Sequence, residues 1–221
     1  MLRTKGVECE EIAVSALLTV GRSTTDRPTD RPTGRPMGVP GEPGIWVVIF
    51  GDLLVFSVLF VGFLIDRSQA VHAFDVARRT LHSGVGLTNT LVLLSSSLLV
   101  VIGLHALRCG RRPVATTMLG GAMALGAVFI FLKVGEYVSA ISAGHTPAAG
   151  HFFTWYFLLT GMHLAHVLVG LIMLGVMTTL SRRPPPNETT MAVITAGACF
   201  WHLVDLLWIF LFPMLYLVVE R

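Results

Sequence analysis

Long apolar runs separated by short polar links make up the chain from Gly44 onward. A bilayer core about 30 Å thick needs roughly 20 helical residues to cross it. Helices are the only plausible spanning form, because an unpaired backbone amide is costly in lipid and the runs lack the alternation of a barrel strand. The pattern therefore predicts an all-α, polytopic membrane protein, a five-transmembrane-helix bundle with spans at 45–65, 87–107, 114–141, 152–180 and 191–219.

The first 40 residues have a different character. Residues 24–36 form a short Arg/Pro/Thr repeat with almost no apolar side chain to bury. Such a composition is typical of disordered segments. We interpret residues 1–40 as a disordered tail, or as a mis-called start if translation begins at Met37, and residues 41–221 as the five-helix membrane domain.

Composition agrees with a membrane protein and disfavours other classes. Of the 221 residues, 53% are hydrophobic and 13% are charged, and the mean hydropathy is +0.73. Eleven of the 29 charged residues lie in the first 40 positions, which leaves too few for a water-facing surface elsewhere. An ordinary soluble domain, a disordered chain and a nucleic-acid binder are therefore disfavoured. The cysteines Cys9, Cys109 and Cys199 lack a metal-binding spacing, so no metal site is predicted.

The distribution of Lys and Arg predicts the orientation. Eleven of these residues lie in the tail and in the second and fourth links, whereas four lie on the opposite side. Positive charge favours the cytoplasmic side, so the N-terminus is predicted to be cytoplasmic and the C-terminus outside. A start at Met37 reduces the contrast to five against four.

Seven Asp, Glu, Lys and His residues lie inside the spans, with His105 in addition at a helix end, and a charge near mid-bilayer costs at least about 2.5 kcal/mol. We expect all of them to face the interior of the bundle: Asp52, Lys133, Glu136, His163, His166, His202 and Asp205. Lys133 and Glu136 are three residues apart, which permits an ion pair on one helical face or snorkelling of either group.

The histidines and Asp52 leave several interpretations open. His163 and His166 share one helical face, as do His202 and Asp205, and hydrogen bonds between helices would explain both pairs without a ligand. Asp52 has no basic residue within helical reach. It could relay protons, donate one hydrogen bond, or contact a lipid headgroup or a partner subunit.

Two further functions are compatible with these residues. A membrane b-type cytochrome holds haem between histidines on facing helices, and His163 or His166 opposite His202 would be such an arrangement. A small proton-linked transporter or channel is the other alternative. The sequence contains no nucleophile elbow, phosphate loop or HExxH pattern, so nothing nominates a self-sufficient enzyme.

Two segments carry motifs of a known family. Residues 152–171 and 200–217 resemble the last two helices of subunit III of haem-copper oxidases, whose patterns there are T-G-x-H-x-x-H-x-x-x-G and W-H-x-x-D-x-x-W. The residues that fill both patterns are Thr160, Gly161, His163, His166, Gly170, Trp201, His202, Asp205 and Trp208. Residues 89–97 resemble the family's Asn-Thr-x-x-Leu-Leu-x-Ser helix, and Gly135-Glu136-Tyr137 resembles its Glu-Tyr helix end. The similarity covers residues 44–219.

The resemblance implies a multi-pass subunit of a bacterial plasma (inner) membrane complex that carries no redox centre of its own. Haem and copper are then expected in the partner, the catalytic subunit I, and phospholipid is expected in a cleft of this chain. The family supports proton entry into subunit I. By the same resemblance, Asp52 and Glu136 are intramembrane carboxylates with proton or lipid roles, although Gly51-Asp52 replaces the family's Ser-Glu.

The resemblance also suggests roles for the remaining motif residues and indicates the branch of the family to which the chain is most similar. An interhelical polar network is expected from His163, His166, His202 and Asp205, and Trp201 and Trp208 are expected at a lipid or subunit contact. The segments PGEPGIW (40–46) and LFPMLYL (211–217) resemble the subunit III-like proteins associated with bacterial nitric oxide reductases. The prediction is thus a non-catalytic component of a cytochrome c or quinol oxidase, or of a nitric oxide reductase, that supports assembly, lipid binding and proton uptake.

Overall fold

The computed structural model describes residues 43–81, 83–182 and 188–217. In these ranges the chain forms six α-helices and one short π-helical turn, and no strand. The helices are α1 (Pro43–Gln69), α2 (Val71–Arg78), α3 (Ser83–Arg108), α4 (Arg112–Ser142), α5 (His151–Ser181) and α6 (Glu188–Phe212), followed by the π-helical turn Pro213–Leu217. The predicted tail at 1–40 lies outside the described residues.

Five of the described helices are long and apolar enough to cross a membrane, which confirms the predicted all-α polytopic class. Their ends extend up to four residues beyond the predicted spans, because polar residues at the ends of a helix still complete its turns. The short helix α2 lies in what the sequence indicated only as a polar link. Its buried Phe74 packs against Phe63 of α1 and Phe152 of α5, with ring centroids 5.7 Å apart in both cases.

Helices α3 to α6 form a ring in which each packs against the next and α6 packs back against α3. Helix α1 packs on the outside of this ring, against α5 and α6. Burial shows this contrast. We call an 18-residue apolar stretch of each spanning helix its apolar window. Of this window, 11% is buried within the chain in α1, whereas 61% is buried in α6 with its π-helical turn. The interior of the ring is therefore where polar side chains can be sheltered from lipid.

The links after α3 and α4 begin with the same kind of hydrogen-bonded turn. Gly110 and Gly144 adopt positive φ angles of 74° and 83° just after α3 and α4. The amide of Arg111 then donates to the Ala106 carbonyl, and that of His145 to the Ala140 carbonyl. These bonds satisfy carbonyls at the helix ends, and glycine is favoured because a Cβ is strained in this conformation. The second turn carries His145 back over the end of α4.

The fully buried Trp201 of α6 depends on two glycines for space. A Cβ added at Gly126 or at Gly170 would lie 2.8 or 2.7 Å from atoms of the Trp201 ring. Such distances require something to shift, and the enclosed indole has no solvent into which to move. These glycines therefore fix how closely α4 and α5 approach α6.

We predict that Gly170→Ala destabilises the bundle by about 1–3 kcal/mol, because the new methyl group overpacks the site against Trp201. The measurement is the thermal loss of monodisperse protein in detergent. Gly175→Ala on the same helix is the matched control, since its Cβ would meet only the Met123 sulfur at 3.9 Å. Equal stability of the two variants would contradict the packing argument.

Candidate functional site

The deepest charged group in the described chain is the side chain of Lys133 on α4, which is 1% exposed. Its Nζ atom donates to Glu136 Oε2 at 3.0 Å, to Tyr156 Oη at 3.1 Å and to Tyr216 Oη at 2.8 Å. A lysine ammonium has three donors. All three therefore have an acceptor, as a buried charge requires.

Aromatic rings surround the same ammonium group. Nζ lies 4.7 Å from the ring centroid of Tyr156, 5.3 Å from that of Trp208 and 5.6 Å from that of Tyr137. Ring faces carry partial negative charge and attract a cation at such distances. We call Lys133, Glu136, Tyr156 and Tyr216 the lysine cluster. Its members come from α4, α5 and the turn after α6, so it joins three elements.

Tyr216 closes the cluster from the end of the described chain. Its hydroxyl donates to Glu136 Oε1 at 2.6 Å, and its carbonyl accepts from Arg78 Nη1 at 2.9 Å. The π-helical turn that begins at Pro213 places Tyr216 so that both bonds form. The pairing of Lys133 with Glu136 that the i, i+3 spacing permits is present, and neither group reaches the surface, since their side chains are 1% and 8% exposed.

The second polar site joins α1 and α5. Asp52 Oδ1 lies 3.4 Å from Nε2 of His166, and Nδ1 of His166 lies 2.7 Å from the Met162 carbonyl oxygen. A carbonyl oxygen only accepts, so Nδ1 must carry a hydrogen, and a neutral His166 then presents a lone pair at Nε2. The contact with Asp52 therefore requires one further proton, held by either the carboxyl or the imidazole.

This carboxyl–imidazole pair differs from the lysine cluster in its access to the surface. The Asp52 and His166 side chains are 22% and 18% exposed. Asp52 stands nine residues into α1, about 14 Å along the helix and within its membrane-spanning stretch. Both groups are therefore partly accessible to another membrane component.

The remaining members of the predicted interhelical network are not hydrogen-bonded to one another. His202 Nδ1 lies 2.6 Å from Ser97 Oγ of α3, not from the Asp205 carboxyl. The fully buried His163 ring packs against Phe129 and Trp208, with centroids 5.7 and 5.1 Å away. No hydrogen bond joins any two of the residues predicted to form the network: His163, His166, His202 and Asp205.

Several buried polar atoms lack a hydrogen-bond partner in the described chain. They include both ring nitrogens of His163, the amide of Asn89 and the indole nitrogen of Trp201. Buried polar atoms are usually satisfied by protein groups or by ordered water. The interior of the ring thus has the donors and acceptors to hold internal water near mid-membrane.

The structure corrects the prediction for Trp201 and Trp208. Both side chains have no exposed surface, so they lie inside the bundle and not at a lipid or subunit contact. Trp201 fills the space over Gly126 and Gly170. Trp208 packs on Phe129, and its Nε1 donates to Thr90 at 3.0 Å.

The histidines that a haem would require are engaged by protein groups. His166 contacts Asp52 and its own helix, His202 contacts Ser97, and His163 is packed between rings. Both ring nitrogens of His163 are without a hydrogen-bond partner, so the contacts of His166 and His202 are the ones that a haem between facing histidines would have to replace. Among the described residues, no group of three or more His, Cys, Asp or Glu side chains could hold a metal ion.

Sequence reasoning missed the tyrosines and Ser97. Tyr156 and Tyr216 lie 23 and 83 residues from Lys133, and Ser97 lies 105 residues from His202. A surface cluster was also missed, in which the Asp66 carboxyl accepts from Trp155 Nε1 at 2.8 Å and contacts His151 at 3.1 Å. The sequence did offer one signal for Tyr216. It lies in an apolar run that predicts burial, and the hydroxyl of a buried Tyr usually has a hydrogen-bond partner.

Comparison with known proteins identifies the family. Residues 42–219 match the family described as Cytochrome c oxidase subunit III, and the chain belongs to that family. The quinol oxidase subunit 3 of Bacillus subtilis (strain 168) is 25% identical over 176 residues, which covers 79% of this chain and 85% of the relative. The cytochrome bo(3) ubiquinol oxidase subunit 3 of Pseudomonas aeruginosa is 29% identical over 178 residues, with 79% and 83% covered.

The family and the five spanning helices together establish a multi-pass membrane protein that is a subunit III of a haem-copper oxidase. A further relative, a probable quinol oxidase subunit 3 of Staphylococcus aureus, is 23% identical over 175 residues. The expected resemblance to subunit III is therefore confirmed.

We predict that Lys133→Met destabilises the chain by about 3–5 kcal/mol, because it leaves the Glu136 carboxylate buried without its counter-charge. The double variant Lys133→Met/Glu136→Gln removes both charges and should recover a large part of the loss. The measurement is the free energy of unfolding in mixed detergent or, where unfolding is irreversible, the thermal loss of monodisperse protein. A double variant that is no more stable than Lys133→Met would contradict the pairing.

Proposed function

We propose that the chain is the non-catalytic subunit III of a quinol-oxidising respiratory complex in a bacterial plasma membrane. It docks on the catalytic subunit I, which carries the haem and copper, and it supports assembly, phospholipid binding and proton uptake. The relatives named as quinol oxidase subunits support the choice of electron donor. The charge distribution supports a cytoplasmic N-terminus and an external C-terminus.

The Asp52–His166 pair is the observation that carries the docking proposal. Its members lie on two membrane-spanning helices and are 22% and 18% exposed, and contact between an ionisable pair and lipid is costly. Cover by another protein removes that cost. The apolar window of α1, which holds Asp52, is also only 11% buried within the chain. This face therefore suits a second membrane subunit that would receive the proton held between the two groups.

A nitric oxide reductase is the second candidate partner. The segments 40–46 and 211–217 resemble subunit III-like proteins associated with that enzyme. The two partners differ in the gas they reduce, so the activity of the purified complex separates them.

We predict that affinity purification of the full chain from native membranes recovers a haem-containing catalytic chain in equal amount, with quinol-driven oxygen reduction. Mass spectrometry identifies the co-purified chain, and an absorption spectrum detects its haem. Nitric oxide reduction in place of oxygen reduction would select the second candidate. Recovery of this chain alone, active as a transporter, would overturn the proposed function.

We predict that Asp52→Asn slows turnover of the assembled complex several-fold, because the amide cannot release a proton to a partner, while assembly is unchanged. Asp52→Glu is the matched variant, since it keeps the carboxyl and should retain turnover. Turnover is followed by oxygen consumption, with subunit ratios measured on the same samples. Equal turnover of Asp52→Asn and the parent would remove the proton role and leave only a polar contact with His166.

A further inference from the structure

A cavity of about 340 Å³ lies beside the lysine cluster, where α4 ends and α3 and α5 begin. Glu136, six residues before the end of α4, stands about 9 Å from that helix end, which is interfacial depth in a bilayer. Glu136 and Tyr156 line the cavity together with the hydroxyl side chains Thr80 and Ser139. The cavity is therefore closed on one side by groups that accept or donate hydrogen bonds.

Other residues that line the cavity are apolar or aromatic. Leu81, Val85 and Leu132 line it, and the His145 ring is stacked on Phe153 with centroids 4.6 Å apart and an angle of 9° between the planes. The turn at Gly144 holds His145 in this place. A planar ring would thus meet apolar contacts on its faces and polar groups at its edge, as small-molecule sites commonly arrange them.

A second cavity continues from the first. It shares Leu81, Val85 and Leu132 with it and reaches Thr88, one turn further into α3. This part is the more open of the two and is bounded mainly by apolar and small side chains of α3. We call the first cavity the head site, and the second, which is lined mainly by apolar and small side chains, offers room for an apolar tail beside it.

The charges around the head site limit its ligand. Glu136 already has its charge balanced by Lys133, and each of its oxygens retains room to accept another hydrogen bond. Neither Lys nor Arg is among the described residues that line the head site. A phosphate headgroup would find no cation there, whereas a neutral ring that bears hydroxyl groups would find the Glu136 carboxylate as acceptor and the Tyr156 hydroxyl as a partner.

We propose that this pair of cavities binds the head and proximal tail of a quinol. The choice of a quinol among neutral amphiphiles rests on the proposed function, whereas the requirement for a neutral, hydroxyl-bearing ring with an apolar tail stands on the lining residues. The inference concerns binding by this chain itself, separate from any site of oxidation in the catalytic subunit.

Photolabelling of native membranes with an azido-benzoquinone that carries a decyl tail and is reduced to the quinol before illumination tests the proposal, followed by purification of this chain and mapping of the adducts. Adducts are expected on the residues that line the two cavities, and excess decyl quinol should suppress them. A photoreactive phosphatidylethanolamine is the parallel probe. Labelling of the same residues by the lipid probe, without displacement by quinol, would overturn the proposal in favour of a lipid site.

Gly135→Leu supplies the matching variant, because Gly135 lines the head site and a Cβ there meets nothing within 4 Å. The leucine should fill the cavity and abolish the labelling. Gly120→Leu on the same helix is the control, since its Cβ also meets nothing within 4 Å and it lies outside both cavities. Ala143→Leu at the cavity wall is a second blocking variant if Gly135→Leu is not monodisperse.

Labelling that persists in both blocking variants, or that maps to residues elsewhere, would overturn the inference. Because labelling is read on this chain, the result does not depend on whether a catalytic partner co-purifies. A chain that binds the probe but recovers no haem-containing partner would contradict the proposed function alone. A complex that forms normally but shows no saturable label would contradict the further inference alone.

Discussion

The burial of one ammonium group, that of Lys133, constrains the rest of the bundle. An unpaired charge cannot remain in a low-dielectric interior, so the helices must bring acceptors to all three of its donors. Glu136 comes from the same helix, whereas Tyr156 and Tyr216 come from α5 and from the turn after α6. Satisfying this group therefore sets the register of α4, α5 and α6 together.

The other family motifs are contact points between the same helices. The Tyr137 hydroxyl lies 2.6 Å from Thr160, whose own hydroxyl donates to the Tyr156 carbonyl, so the Glu-Tyr and T-G-x-H motifs meet. Trp208 donates to Thr90, which joins the last helix to the Asn-Thr motif of α3. Short patterns far apart in sequence thus describe one interior, and Asp52–His166 is left on the outer face as the site that suits a partner.

The sequence predicts interactions between residues that are close along the chain better than interactions between residues that are far apart along it. Apolar run length predicted five spans because the bilayer demands it, and the i, i+3 spacing of Lys133 and Glu136 permitted their ion pair within one helix. The contact between Asp52 and His166 depends on how α1 packs on α5, which no spacing within one helix contains. Trp201 and Trp208 were placed at a contact surface, since residue type alone does not distinguish a ring inside the bundle from one outside it.

Solid-state NMR on the chain in bilayers gives the most direct test of the central claim. Lys5 and Lys133 are the two lysines of the sequence, so ¹⁵N-labelled lysine gives at most two side-chain signals, and Lys133→Met assigns one of them. With ¹³C-labelled glutamate carboxyl groups, the ¹⁵N signal of Lys133 should show a dipolar coupling to the Glu136 carboxyl carbon, because an oxygen of that carboxyl group lies 3.0 Å from Nζ. A Lys133 signal without that coupling, or one in rapid exchange with water, would contradict the account.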